Sequence, residues 1–529
     1  MGAAHPPTGT ARASSSPSGE HPAPVDHQAK YDAAKQELER VLALPALPGA
    51  PGFEKDRAAL VARAKAEPLV FVRAPKPDPE ESAGARSLRL HFEQTDFPWR
   101  ELKKLRKRFA NRHAFARQLV LKEGYLYSEE PNHAFTLVSL IRPDHLFNEP
   151  EIWVQRGQRI MRATIGEKHR YYFSDGPEEG KRVKLLHLDR VGTGPIPPAL
   201  HRDFRSLRYE LFFERAKLRH ITERYLIADL RYGKFWVPTV LESDGPKLKL
   251  VTELVDPAQA TQIEEVRAQL ELEARLVSQL RHAMRAQIDE ALPFDEPKTE
   301  VGQQDGSLRR HWRAAYLAGR DSFRFNDDRY SVFDPQGRPY IPQVCIDFMS
   351  DTFERAGGRW WRPRDAAERG LTEGKLDLSE FDRTALRRTK YFLNFAREHE
   401  EWFDVLTFPD YMRIQLGYKA RFFEWLNEKV DHFRSGDIIL IRGHTPWDDV
   451  DEHTHSFFIY DTDPVTGIPI AIAGNAGPAN LWSWETEARR TPNRTIRTRI
   501  RPQVGWLQTF IEFDPHEALE PPALISGKR

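Results

Sequence analysis

Hydrophobic and polar positions change rhythm along this chain of 529 residues, and the changes mark its parts. Apolar spacing predicts a helix over Tyr31–Leu44, closed by the proline-rich PALPGAPG, and a second over Glu54–Ala66. Glu101–Leu121 reads as a basic amphipathic helix, with Leu102, Leu105, Phe109 and Leu119 near one face. The period then shortens. Between Phe135 and Leu254, Ile152, Val154, Ile160 and Ile165 alternate, and YYFSDGPEEGKRVKLLHL and KFWVPTVLESDGPKLKLVTEL each read as hairpins. Both contain Ser-Asp-Gly-Pro, at Ser174–Pro177 and Ser243–Pro246, which fits either ordinary turn chemistry or a duplicated β unit. A helical span, Asp203–Thr222, separates them. Asp256–Leu292 is the longest helical stretch. Its stripe of Ile263, Val266, Leu270, Val277, Leu280 and Met284 is interrupted by Glu273.

Beyond the linker PFDEPKTEVGQQDGS a further domain is expected from about Ser307 to Asp514. Within it, PQVCIDFMSDTFERAGG predicts a buried helix. Pro342 stands near its start, Ile346, Met349 and Phe353 repeat at helical spacing, and Gly357-Gly358 stops it. Cys345 falls in the first turn, where unpaired N–H groups and the helix dipole favour a thiolate. A lone cysteine is more often just a small buried hydrophobe. Helical patterns follow at Phe381–Glu400 and Tyr418–Phe433. SGDIILIRG then marks a turn and a buried strand, EHTHSFFIYDTDPVTGIPIAIAGNAG two strands around a turn, and Thr495–Ile500 another strand.

Composition narrows the classes. Lys and Arg number 79 against 78 Asp and Glu, so no overall field selects nucleic acid or an anionic membrane. The single cysteine excludes an internal disulfide and a zinc site built on several thiolates. No apolar run reaches the roughly 20 residues of a membrane-spanning helix. Met1–His27 is rich in Pro, Ser, Ala and Gly, is expected to be disordered, and lacks the apolar core of a secretory signal. The expected architecture is multidomain α+β. It comprises a lead-in (1–30), helical segments with proline-rich linkers (31–130), a β-rich module (131–255), a long helix (256–293), a C-terminal α+β domain (307–514) and a tail (515–529).

Four features of the last domain come in an informative order. Cys345 opens a helix in VCIDF, Gly436-Asp437 precedes the apolar strand of GDIILI, His455 begins HSFFIYD, and Asn475 ends a strand in IAGNAG. This order resembles the NlpC-type papain-like cysteine peptidases and amidases, most of which cut bacterial peptidoglycan. The chain departs from their pattern in carrying Phe457 and Phe458 where the family has a small residue, and in a long insert between cysteine and histidine. The resemblance implies a papain-like fold for 307–514, with Cys345 as nucleophile, His455 as base and Asn475 orienting the ring. It implies hydrolysis of an amide or peptide bond without cofactor or metal, a peptidoglycan substrate and a place in the cell envelope or periplasm. The β-rich module resembles in texture the SH3-like barrels attached to cell-wall enzymes.

Other readings stand beside it. His453 shares a strand face with His455 and is an alternative base. Gln343 is a candidate oxyanion donor. His444, Asp448, Asp449, Asp451, Glu452, His453 and His455 form a run suited to a divalent metal and metal-assisted hydrolysis. A third reading is a binding protein that keeps a papain-like shell without catalysis. Trp360, Trp361, Trp447, Trp482 and Trp484 would line a groove or fill the core.

Overall fold

The computed structural model describes residues 27–46, 52, 70–71, 90–91, 119–122, 125–128, 150–156, 159–183, 190–192, 203–244, 247–295, 307–381, 386–445 and 448–523. They form a mixed α+β structure with several sheets. The expected helix over Glu54–Ala66, most of the basic helix, and Met1–Asp26 lie outside these residues. Where the basic helix was expected to end, the chain is instead strand. β3 (Leu119–Lys122) pairs with β4 (Tyr125–Ser128), just as the two-residue β1 (Val70–Phe71) pairs with β2 (Leu90–His91). Leu-Val-Leu against Tyr-Leu-Tyr is a composition that suits strands.

Among the described residues from 150 to 254, the strands form two four-stranded sheets. β5 (Glu151–Arg156), β6 (Arg159–Ile165), β7 (Tyr171–Phe173) and β8 (Arg190–Gly192) are ordered 7-6-5-8. β9 (Ala216–Ile221), β10 (Tyr225–Tyr232), β11 (Phe235–Asp244) and β12 (Lys247–Glu253) form a meander. Against this second sheet lies α1 (His27–Leu42), where Val41 meets Ile227 and Val240. The expected helix Asp203–Thr222 is shorter, as α2 (Phe204–Leu211). Asp203 caps its start by accepting from Ser206 N at 3.0 Å. Phe212 ends it in the left-handed region, φ 49°, and the chain turns into β9.

α3 (Ala260–Asp289) is not a free connector. Its Leu276, Leu280 and Met284 share one core with Ile346, Met349 and Phe353. The supposed linker after it is also pinned at its start. Asp295 is buried and accepts from Leu308 N and Arg309 N at 3.0 and 3.1 Å, at the start of α4 (Ser307–Leu317). A boundary at Ser307 would therefore cut through a single core. The apolar stripe of α3 needed a partner, and this core supplies it.

α5 (Cys345–Ala356) follows the small hairpin of β13 (Ser322–Phe325) and β14 (Asp328–Ser331), which packs with α4 around Trp312 and Tyr316. The expected long helices shorten to α6 (Thr389–Glu398) and α7 (Lys419–Glu428). The main sheet is antiparallel throughout, ordered β15 (Phe403–Thr407), β20 (Thr495–Pro502), β16 (Ile438–Thr445), β17 (Asp448–Thr462), β18 (Pro469–Asn475), β19 (Ala479–Trp482). Both its faces are covered. On one, Leu440, Phe458, Tyr460 and Ala473 join the α5 core, which also takes residues of α3, α6 and α9 (Val504–Phe510). On the other, Ile441, Phe457, Ile459 and Ile472 meet α7 and α8 (Trp484–Arg490). Burial on both faces explains why HSFFIYD carries adjacent phenylalanines: each fills a different core.

Candidate functional site

Cys345 is the first residue of α5 and is half-buried. Polar groups anchor the helix from behind. Asp347 accepts from Val344 N at 2.9 Å and receives Arg387 at 2.6 to 3.1 Å. Asp351 takes both arms of Arg309 at 2.7 Å. Burial opposes ionisation of Asp347, but Arg387 and Arg309 outweigh it and hold the carboxyl at about 2. These groups fix the helix end that carries the thiol.

The sulfur lies 4.0 Å from Thr389 Oγ1, at the start of α6. Its neighbour on the sheet is Ser456, not a histidine. Burial pushes the thiol up, while Ser456 and Thr389 pull less strongly the other way, and Asp347 adds to the rise. The Ser456 hydroxyl is sealed from solvent and completes no hydrogen bond of ordinary geometry. The thiolate expected from the first-turn position is therefore overruled by desolvation.

Strand parity accounts for the missing histidine. Ser456 pairs with Leu440 and lies two places from Phe458, and both Leu440 and Phe458 belong to the α5 core. His455 pairs with Ile441 and lies two places from Phe457, both in the opposite core, with its ring 6.1 Å from that of Phe457. His455 is thus on the far face of the sheet from Cys345, correcting the expected dyad. His453 has the same parity and does not replace it. Burial, then Arg494 and Arg490, push His455 down to about 3, so its ring is neutral. Its Nε2 is buried without a hydrogen-bond partner.

Asn475 does share the α5 side, since Ala473 pairs with Phe458, and Asn475 and Ser456 each lie two places from that pair, towards the same end of the sheet. It orients no imidazole. Its Nδ2 donates to Leu292 O, Pro293 O and Gln343 Oε1 at 3.2 to 3.4 Å. Gln343 is equally committed, with Nε2 donating to Gln287 Oε1 and Asp351 Oδ2, both at 2.6 Å, so it offers no oxyanion donor. Asp437 is structural: it binds Arg501 at 2.7 and 2.8 Å and Arg434 N at 2.7 Å.

The acidic run resolves only in part. Glu452 pairs with Arg442 at 2.7 Å, and the side chains of Asp448, Asp449 and Asp451 lie outside the described residues. Among the described residues, no group of three His, Cys, Asp or Glu is placed to hold a metal. Trp361, Trp482 and Trp484 are core residues, Trp360 is partly buried against the core, and Trp447 lies outside the description. A cleft of about 130 Å³ opens between α2, α3 and the residues around Phe433. Its charges satisfy one another: Arg231 and Arg434 both pair with Glu214, and Arg434 also with Glu273.

Sequence reasoning missed Thr389, Ser456 and Arg494. Only Ser456 had a signal, its place beside His455 on a strand whose faces alternate. No helix among the described residues is long and apolar enough to cross a membrane. Comparison with protein-family models, curated proteins and solved structures returns no match.

Proposed function

We propose that the C-terminal unit is a papain-like shell, of the form seen in NlpC-type peptidases, that binds a peptide ligand without cleaving it. One observation supports this above all. The residue facing Cys345 across the helix–strand contact is Ser456, while His455 points to the far side of the sheet. Thiol hydrolysis needs an imidazole to hold the thiolate and to protonate the leaving amine. A hydroxyl beside a protonated thiol does neither. The peptide of peptidoglycan is the ligand class that the resemblance offers, with Cys345 and Thr389 as part of the wall.

The rival is cysteine hydrolysis of an amide bond in the same polymer, and one set of measurements separates the two. On the full chain, iodoacetamide should label Cys345 only above the ordinary thiol range of about 8.5. His455→Gln should leave that profile unchanged, since the ring lies across the sheet. The protein should sediment with insoluble peptidoglycan and release no new amines from it. Rapid labelling at neutral pH that His455→Gln abolishes, or amine release that Cys345→Ala abolishes, would establish the hydrolase instead. Failure to sediment would remove the ligand class.

A further inference from the structure

The far face of the sheet carries a cation without an anion. We propose that Arg494, with His455 and Arg490, forms a binding site for a small carboxylate-bearing ligand at the end of this face. Cys345 packs on the other face, yet its sulfur lies within electrostatic reach of Arg494, so the test below reads His455 and not the thiol.

Backbone geometry brings the three residues together. Ile441 pairs with His455 on one side and Ile496 on the other, so His455 and Ile496 share a face, and Arg494 stands just before β20, two places ahead of Ile496. Gly443 lets the chain close at this end. A Cβ there would meet Asn493 O at 2.5 Å and Arg494 Cα at 2.9 Å, and its φ of 149° suits glycine alone. α8 ends at Arg490, and Arg494 N donates to Thr491 O at 3.2 Å just beyond it.

The side chains are buried and unused. Arg494 is 7% exposed and His455 8%. Among the described residues neither makes a side-chain hydrogen bond or ion pair, and both Arg494 Nε and His455 Nε2 are sealed from solvent. The terminal nitrogens of Arg494 are unpaired too but not sealed, so the fork opens on accessible space. Arginines elsewhere in this unit contrast with it: Arg309, Arg387, Arg499 and Arg501 each meet an aspartate. A buried guanidinium left without an anion is costly, and a ligand that supplies one is favoured accordingly.

Charge selects the ligand. Arg490 and Arg494 contribute two positive charges; of the groups Arg494 feels, Glu487 contributes one negative, and Cys345, its thiol pushed up by burial, contributes none at neutral pH. The Glu487 carboxylate is already engaged by Trp482 Nε1 at 2.9 Å and Thr491 Oγ1 at 2.7 Å. With His455 neutral, one positive charge is unbalanced. That suits a monoanion. A carboxylate also matches the planar fork of a guanidinium, with the imidazole N–H as a further donor. Arg490 already gives one bond to Ala476 O at 2.7 Å and would act mainly through its charge.

The test uses the full chain with isotope-labelled histidine, followed by NMR, with His455→Gln assigning the resonance. The probes are acetyl-alanyl-alanine, its C-terminal amide and inorganic phosphate. The free acid should move the His455 signal saturably, the amide should not, and phosphate should bind about tenfold more weakly or worse. Arg494→Gln should weaken the acid at least about tenfold. Arg490→Gln, at an exposed position, should weaken it by a smaller factor and decides the matter should Arg494→Gln not fold. An unmoved His455 signal at millimolar acid, an equal response to the amide, a preference for phosphate, or full affinity in a folded Arg494→Gln or in Arg490→Gln would each overturn the site.

Discussion

The two faces of the main sheet are made by the same strands, yet the charges buried beside α5 are paired while those at one end of the far face are not. Behind Cys345, the buried charges Arg309 and Asp351, and Arg387 with Asp347 and Asp295, all find partners. On the far face Arg494 and His455 find none among the described residues. Paired groups hold elements in place and fix the end of α5. Unpaired ones are an unmet demand that a ligand can satisfy. A lone cysteine draws attention to the first face, while the uncompensated charge lies on the second.

The sharpest way to break this contrast is to remove a partner on each face. Asp351→Ala strands the buried Arg309, and should cost about 3–5 kcal/mol in urea unfolding at neutral pH. Arg494→Met abandons no anion, and should cost less than about 1 kcal/mol in the same assay. Equal losses would mean that the faces do not differ as described.

Acid should separate them next. His455 is depressed from 6.5 to about 3 in the folded chain, so below pH ~6.5 the unfolded chain takes up a proton that the folded one refuses. Its stability is therefore whole above that pH and falls towards pH 3, by up to roughly 4 kcal/mol. His455→Gln should flatten this part of the curve. Asp347, depressed to about 2, contributes stability that is present above pH ~4 and lost as pH falls to 2. The variant should thus lose most of the decline between pH 6.5 and about 4, keeping only the lesser part from His432, which burial also depresses. An undiminished decline across the range in His455→Gln would show that the His455 imidazole is not the group titrating.

What could be read from the sequence followed from periodicity. The α5 helix with its glycine stop, β16, the β17–β18 turn and the long α3 all lie where apolar spacing put them, within a few residues. Shorter or weakly patterned pieces were not legible: β15 and β19 are edge strands of five and four residues. The site failed for a different reason. Deciding which face of β17 bears His455 requires knowing whether Phe457 or Phe458 fills the α5 core, and in HSFFIYD both are buried. A strand covered on two sides has no polar alternation to settle its parity, and one residue of error moves a side chain across the sheet. Pairing of Arg387 with Asp295 and Asp347, separated by 92 and 40 residues, leaves no local trace at all.

That parity can be tested by moving the imidazole. Ser456→His would place a ring on the α5 face, beside the Cys345 sulfur and Thr389. Ser456 is buried, so the larger side chain should cost about 1–3 kcal/mol by overpacking. A protonated ring next to the sulfur favours the thiolate, against the desolvation that now raises the thiol. The expected result is a fall of about one pH unit in the midpoint of iodoacetamide labelling, worth roughly 1.4 kcal/mol. Phe457→His, with the ring on the far face, is the control and should leave the midpoint where it is. If the two substitutions shift the midpoint equally, or only Phe457→His does, then β17 presents the other set of side chains to α5. His455 would then be the neighbour of Cys345 after all.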